Sequence, residues 1–564
     1  MRELRLAPAA VLVWMVTAMI ILSVSWVGAT VVSAITVVIA VVIALVLRQV
    51  GQAVLLGVLG TCSGLLTWWR LSRAQHIELR SPLIGTVSSV STMDSGDHHI
   101  LLSVDGYPAK VSVFYSGELS AERGALISAK GWLKPDDFPG LSTVVMTSDS
   151  VEVIGEAQGY AAWVNHVRDN FAESVSRHVG ESSQGLIPGM VLGDTRGQST
   201  IEAQMFIDTG LSHLSAVSGS NVSILVSTVM VAAYLLTIGP RIQVAVSMGA
   251  LLVFVSVVGT EPSVLRAAVM GVVGLLAVIN SSRMEPIHGL SLAVMGLLIV
   301  DSNLAVQYGF VLSVAATAGI VALFPLLYRA LAPPLSRWRV PDIVVRAFAV
   351  AIAADLVTMP IIALMAGRIS LVAVLANVLV DLAVAPITVI GLIAVLLSLL
   401  PDQLGPIELV ALKVIEPFSW WIYHVAQWCQ RLPNSTLEVT DGWLGIAWVV
   451  IAGLWMVVAI FYGHIRKILI TVAAVFALST VTQRPPAPVD PLTLNFQVIE
   501  TVGEQGELGD VDKHVQLVIV EDPQGPMSTR PIVTKDGVPV LFPYRDGEVT
   551  LHVDGTQRAA DGRF

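Results

Sequence analysis

Charge is what this sequence has least of. Asp, Glu, Lys and Arg make up 13% of its 564 residues, where a soluble globular chain carries roughly 25%. That shortfall excludes water as the main solvent. Positive charge is the scarcer sign, with 32 Lys and Arg against 42 Asp and Glu and a formal charge of −10. No global field therefore attracts a polyanion, and any such ligand would have to be handled locally. Cysteine is nearly absent. Cys62 and Cys429 both fall in or beside apolar segments, where a thiol is usually a small buried hydrophobe; no disulfide is assigned, although pairing across the fold stays open. Also missing are a Walker A sequence, an H-E-x-x-H, a pair of C-x-x-C motifs and a Rossmann glycine fingerprint. An ATP-driven machine or a simple metalloprotease has no support, and neither a cofactor nor a metal is expected.

What the chain does have is hydrophobic residues, 54% of the total, mostly in runs of around 20 that can cross about 30 Å of hydrocarbon. Three such segments open it, about Pro8 to Ala29, Thr30 to Leu47 and Gly51 to Trp69. Arg2 and Arg5 ahead of them resemble the start of a signal peptide, but the apolar stretch continues far beyond an ordinary h-region, so retained spans are expected. From Gln75 to Glu156 the texture changes to alternating runs such as "HHILLSVDG", "AKVSVFY" and "ALISAKGWL" between turn residues, the pattern of a small antiparallel β domain. In "YAAWVNHVRDNFAESVSRHV" the residues Trp163, Val167, Phe171 and Val175 recur every four positions, predicting an amphipathic helix. From Leu211 to Val481 roughly ten further apolar spans follow, and after "RPPAPVDP" short β-like runs return. The expected architecture is a polytopic α-helical membrane protein of about 12 to 13 transmembrane helices. It carries an inserted extracytoplasmic β barrel and a short β-rich C-terminal domain, also expected outside. The boundaries are 1–74 for the first helices, 75–156 for the β domain, 157–200 for the amphipathic helix and connector, 201–484 for the main membrane domain and 485–564 for the C-terminal segment.

Orientation follows from the positive-inside rule. With Arg2 and Arg5 in the cytoplasm, the inside loops fall at Arg241, at Arg283, from Arg329 to Arg346, and at Arg466 and Lys467. The outside turns are "GTEP", Asp301, "AGR" and "PNSTLEVTDG", poor in Lys and Arg apart from Arg368 and Arg431.

Polar groups inside apolar spans are expensive and face protein or a wet path. The densest cluster is "TGLSHLSAVSGSNVSIL", where His213, Ser215, Ser218, Ser220 and Asn221 interrupt a would-be helix around Gly219. A broken helix is tolerated in lipid only where its freed backbone groups meet protein or water, so the cluster is read as lining a cavity. For any one serine or histidine, a local hydrogen bond to its own helix is the competing reading. Arg266 lies about one turn inside the helix that begins at "EPSVLRAAVMG". It either snorkels to the surface or lines a pore, where a guanidinium suits a phosphate. The small residues Ser313, Ala315, Ala316 and Gly319 point to close helix packing. Asp355 lies within a span, and Asn377 and Asp381 stand four apart on one helical face, ahead of Pro386, which is expected to break that helix. The two carboxylates need a partner or a proton, with Arg266 or His213 as candidates. A structural polar network and a transport role are equally open. "GDTRGQS" at Asp194 lacks the Lys-Ser/Thr ending of a phosphate cradle and is read as a turn.

The strings "GLIPGMVLGDTRGQS", "FIDTGLSHLSAVSGSNVSIL", "EPSVLRAAVMG", "QYGFVLSVAATAGIV" and "AGRISLVAVLANVLVDLAVAPITVIGL" run in that order from Gly185 to Leu392. Together they resemble the ComEC family of competence and DNA-internalisation proteins. The resemblance implies an oligonucleotide-binding-type (OB-like) barrel at Gln75 to Glu156, then a multi-pass channel domain in the cytoplasmic membrane that transports single-stranded DNA during natural transformation. It implies an extracytoplasmic DNA receptor or a separate nuclease, and a cytoplasmic motor, as partners; oligomeric state and energy source stay open. The path expected from the residues above runs along His213, Ser215, Ser218, Asn221, Arg266, Asp355, Asn377 and Asp381. Tyr107, Phe114, Tyr115 and Trp132 could stack on bases, core packing being the commoner role for such rings. The barrel's excess of acidic residues departs from an electrostatic funnel. Many family members end in a metallo-β-lactamase-like domain with an H-x-H-x-D-H ligand set. After Pro485 this chain has only His514 and His552, far apart, so no nuclease activity is expected of it. Two other classes remain: a small-molecule secondary transporter, suggested by broken helices and buried carboxylates, and a membrane-embedded hydrolase using His213 near Ser218.

Overall fold

The structure is a computed structural model. It describes residues 6–23, 26–92, 97–117, 119, 121–136, 138–279, 284–400, 405–440 and 442–462. Beyond these it describes 489, 494–499, 515–523, 527–528, 531–534, 538–552 and 557–560. Arg2, Arg5, Arg283, Arg466, Lys467 and His514 lie outside the described residues, as does the last apolar stretch up to Val481.

Three helices open the chain: α1 (Ala7–Leu22), α2 (Trp26–Val46) and α3 (Val50–His76). Their boundaries differ from those read off hydrophobicity. The first helix stops at Leu22, inside the first apolar run, because Ser23 turns extended and its hydroxyl donates to the Ile20 carbonyl at 3.2 Å. The third continues past Trp69 to His76, with Arg73 and His76 in its last turn, where cations complement the helix dipole. Arg70 on that extension donates to Ser302 Oγ at 2.9 Å. The outer face of α2 stays apolar: Ile35, Val38, Ile39 and Val42 are each about half exposed, a surface that suits lipid and not water.

Next come β1 (Leu83–Thr92), β2 (His98–Val104), β3 (Lys110–Tyr115), β4 (Leu126–Pro135) and β5 (Val144–Gly155). They close into a barrel in the order β1-β2-β3-β5-β4. β3 and β5 pair in parallel and the other neighbours antiparallel. Alternation sends Val87, Ile100, Leu102, Val111, Val113, Ile127 and Met146 into its core. Two contacts fix the barrel to the helices. Leu141 N–H in the β4–β5 loop donates to Asn303 Oδ1 at 2.9 Å, and Asn165 donates to Glu122 Oε2 and the Arg123 carbonyl at 2.8 and 2.9 Å.

Asn165 belongs to α4 (Tyr160–His178), which buries Val164, Val167, Phe171 and Val175. Trp163, expected on that stripe, is exposed. A strict four-residue spacing drifts about 40° per step around a helix of 3.6 residues per turn, so Val164 takes its place on the face. The chain then breaks into short pieces: α5 (Glu181–Gln184), α6 (Leu186–Leu192), α7 (Thr200–Asp208) and a 3-10 turn at Ser212–Leu214. Long helices follow as α8 (Gly219–Leu235), α9 (Pro240–Val258), α10 (Pro262–Ile279) and α11 (Pro286–Val300). After a 3-10 segment at Ser302–Val306 come α12 (Tyr308–Arg337), α13 (Asp342–Ala366), α14 (Ala373–Ser398), α15 (Gly405–Gln430) and α16 (Trp443–Phe461). Pro240, Pro262 and Pro286 each open a helix, where the missing N–H costs nothing. Pro386 does not break α14, contrary to expectation. It sits inside the helix, a position membrane helices tolerate when neighbouring groups re-satisfy the backbone; two residues on, Thr388 donates to the Val384 carbonyl at 2.9 Å. Gly319 lets α12 approach α13 closely, since a Cβ there would stand 2.5 Å from the Ala353 carbonyl oxygen.

Six helices, α3, α9, α10, α12, α13 and α14, are long and apolar enough to cross a membrane. Five shorter apolar helices accompany them among the described residues: Ala7–Leu22, Thr30–Val46, Gly219–Leu235, Pro286–Val300 and Gly445–Phe461. A two-stranded ribbon, β6 (Arg368–Ser370) with β7 (Thr436–Glu438), joins the loops that precede α14 and α16. The C-terminal segment carries β8 (Phe496–Ile499), β9 (Leu517–Val520), β10 (Ile532–Val533) and β11 (Pro539–Leu541), in sheet order β10-β11-β9-β8. The turn α17 (Pro543–Asp546) and the pair β12 (Val549–Leu551) and β13 (Gln557–Ala559) follow.

Candidate functional site

The broken stretch between α4 and α8 is held by close backbone approaches at glycines. A Cβ on Gly189 would stand 2.6 Å from the Ser215 carbonyl oxygen, so α6 crosses directly over the residues before α8. Gly210 has φ +71° and would meet Ala373 Cβ at 2.6 Å, so the turn after α7 rests on the first residue of α14. α6 ends at Gly193 in the left-handed region, a common helix stop. α7 starts in a capping box, with Ser199 Oγ accepting from Glu202 N–H and Glu202 Oε2 accepting from Ser199 N–H.

At the start of α8 the polar residues converge. Ser218 Oγ lies 2.6 Å from Ser220 Oγ and donates to Asn221 Oδ1 at 3.2 Å. Asn221, almost fully buried, donates to the Met190 carbonyl at 2.7 Å. Ser263 at the first turn of α10 donates to the Val217 carbonyl at 3.0 Å. Arg266 on the same helix is buried; its Nε donates to Ser313 Oγ at 2.9 Å and its Nη1 lies 3.5 Å from Met270 Sδ. Its Nη2 sits against Gly219, where a Cβ would be only 2.6 Å away. The structure thus brings together Ser218, Asn221 and Arg266, and adds Ser220 and Ser313. His213 is exposed on the 3-10 turn, and Ser215 is half-buried with its hydroxyl on the Ser212 carbonyl at 2.9 Å.

The remaining residues of the expected path do not join this cluster. Asn377 donates to the carbonyl of Ala373 on its own helix at 2.9 Å. Asp355 is half-buried on α13 and Asp381 is exposed on α14. Neither carboxylate pairs with Arg266 or His213 among the described residues, which corrects the expected pairing. Arg266 instead bonds a neutral hydroxyl across the α10–α12 contact.

Two charge networks beside the break were missed. Asp208 at the end of α7 meets Arg368 at 3.1 Å and accepts from Gln204 at 2.7 Å and Gln430 at 3.3 Å, tying the break to β6 and α15. The signal was Arg368 itself, a cation in a loop otherwise poor in them. In the "GDTRG" turn the buried Asp194 accepts two bonds from the Arg196 guanidinium, at 2.8 and 2.6 Å, and one from the Arg196 N–H at 3.3 Å, and Arg196 also reaches Asp169 on α4 at 2.8 Å. Burial alone would raise the Asp194 pKa, but the hydrogen bonds and charge of Arg196, with Arg168 behind, outweigh it and hold the carboxyl below its ordinary value. Arg168 caps the break with bonds to the carbonyls of Leu192 and Gly193 at 3.1 and 3.3 Å.

On the barrel, Tyr107 is a core residue whose hydroxyl lies 3.2 Å from Thr143 Oγ1. Phe114 is half-buried, with its ring centroid 5.0 Å from that of His99, and Tyr115 is half-buried too. Trp132 alone of the four presents its ring freely, at 72% exposure; Phe138, which sequence reasoning passed over, is 80% exposed.

Fold and site together describe a polytopic helical protein, with six helices long and apolar enough to cross a membrane, whose main domain carries an interrupted segment and follows a closed five-stranded barrel. Residues 190–466 match the family model described as Competence protein. The match, over just under half of the chain, supports the resemblance to the ComEC-type competence proteins, and the matched stretch contains every residue of the expected path from His213 to Asp381. No curated protein and no solved structure matches the chain.

Proposed function

We propose that this protein passes single-stranded DNA across the cytoplasmic membrane during natural transformation. The observation that carries the reading is the interrupted segment from α6 to α8. Three short helical pieces bring exposed Ser212, His213 and Ser220 to the mouth of a membrane helix, and irregular backbone at such depth is stable only against protein or water. The barrel supports it: five strands closing in the order β1-β2-β3-β5-β4 fit an OB-like domain, a fold that serves nucleic-acid binding in other proteins. Its exposed Trp132 is a stacking surface for a base. In this reading the barrel lies outside the cell, another enzyme supplies the single strand, and a motor draws it inward. The chain itself is proposed to cut no DNA.

The test is an in-frame deletion in the host. Loss of transformation with normal DNA binding at the cell surface supports the reading, and undiminished transformation refutes it. A proton-coupled small-molecule transporter is the second reading, favoured by Asp355, which has no ion-pair partner among the described residues. Proton-driven solute uptake in vesicles that disappears in Asp355→Asn would replace the first reading with it.

A further inference from the structure

The cluster at the start of α8 has more donors than acceptors. Ser218 occupies the cap position but makes no capping bond, its hydroxyl being turned to Ser220 and Asn221. Asn221 N–H reaches the Ser218 carbonyl at 3.1 Å, while the N–H groups of Gly219 and Ser220 find no acceptor among the described residues. A helix of this length carries roughly half a positive charge at such an end. Beside it stands a full one. Arg266 is 93% buried, by its 7% exposure, and among the described residues no carboxylate pairs with it. Its Nε and Nη1 are occupied by a neutral hydroxyl and a thioether. Its Nη2 has no hydrogen-bond partner there and lies against Gly219, the first residue of the uncapped helix.

A buried, unneutralised guanidinium is costly, and a structural role alone would be served by a carboxylate neighbour. From this geometry we infer that the α8 N-terminus and Arg266 form a binding site for one phosphate oxyanion of the phosphodiester type. Nη2 and the N–H groups of Gly219 and Ser220 are its donors. The Ser218 and Ser220 hydroxyls stand beside them. One guanidinium plus a helix end matches a single negative charge, and both are groups that recognise phosphate oxygens. Gly219 is required because a side chain there would fill the space in front of Nη2. That the phosphodiester belongs to a passing strand rests on the functional reading above; that the site takes a phosphate oxyanion does not.

The experiment uses the full chain in nanodiscs of zwitterionic lipid, with wild type, Arg266→Gln, Arg266→Lys and Gly219→Ala compared. Gly219→Ala keeps every charge and leaves the helix intact, so it separates loss of the site from loss of folding. The first probe is radiolabelled inorganic phosphate: wild type binds it, Arg266→Gln and Gly219→Ala lose it at least tenfold, and Arg266→Lys retains part. The second is oligothymidine binding across a salt series, where removing one phosphate contact lowers the slope of log K against log salt by about 0.7. If instead the oligothymidine slope is unchanged while mass spectrometry shows an anionic phospholipid retained by wild type and lost from Arg266→Gln, the oxyanion is a lipid headgroup. Equal phosphate binding by wild type and Arg266→Gln, or none by either, overturns the site. The functional reading fails separately: a deletion strain that transforms normally sinks that reading even where phosphate binding behaves as described.

Discussion

Asn221 spans two pieces of the broken segment with one side chain. Its amide donates to the carbonyl of Met190 in α6 while its oxygen accepts from Ser218. Interhelical hydrogen bonds in membrane proteins are worth about 0.6 to 1.7 kcal/mol. Asn221→Ala is expected to lower stability in detergent by that amount, read as a shift in the denaturation midpoint, and to change α6 exchange before that of α12. Asp194 makes a pH prediction. Its carboxyl is held below the ordinary value in the fold, so its contribution is present above the unfolded pKa of about 3.9 and is lost as pH falls through the lower folded value. Thermal melts of wild type should fall more steeply below about pH 4 than those of Asp194→Asn, and parallel curves would contradict the assignment. Of these residues, Asn221 and Arg266 were legible from sequence because a polar group in an apolar run is conspicuous. Asp194 and Asp208 were not, since in loops they look like ordinary solvated charges until Arg196 and Arg368 are seen against them.

Among the elements, long apolar runs and strict alternation announced the helices and the barrel strands. The finer pattern was illegible where local hydrogen bonds decide it. Ser23 ends α1 within an unbroken hydrophobic run, and Pro386 rides inside α14, because hydrophobicity reports burial in lipid and says nothing of which carbonyls are satisfied. The short helices before α8 were read only as an interruption, since their ends depend on Gly189 and Gly210 meeting backbone far away in sequence. The same dependence sets the barrel's position. Its β4–β5 loop is tied to the helices by the bond from Leu141 N–H to Asn303, with the Leu141 side chain buried. Removing a hydrogen bond worth about 1 kcal/mol raises local opening about fivefold. Asn303→Ala should accordingly speed amide exchange at Leu141 by that factor while leaving β2 and β3 unchanged, and unaltered exchange would show that packing alone holds the loop.

Across the whole molecule, alternate interhelical loops gather on one side. Gly259 contacts Arg123 of the barrel, Asn303 holds Leu141, and the loops before α14 and α16 are stitched by the β6–β7 ribbon. Arg241, Arg337 and Arg339 stand at the opposite helix ends, the distribution expected when those ends face the cytoplasm. An up-and-down helical domain of this kind needs no polar break to be stable, and under the proposed function the break at α8 serves the passing strand. The most direct measurement is a scan with membrane-impermeant thiol reagents over positions 212 to 225, in intact, correctly folded protein. Exposed Cys62 and buried Cys429 are first replaced by serine. A hydrated path predicts rapid modification of Ser212→Cys, His213→Cys and Ser220→Cys, with Val222→Cys protected by its burial. Failure of every position in the scan to react would contradict it, and would leave the break sealed by its neighbours.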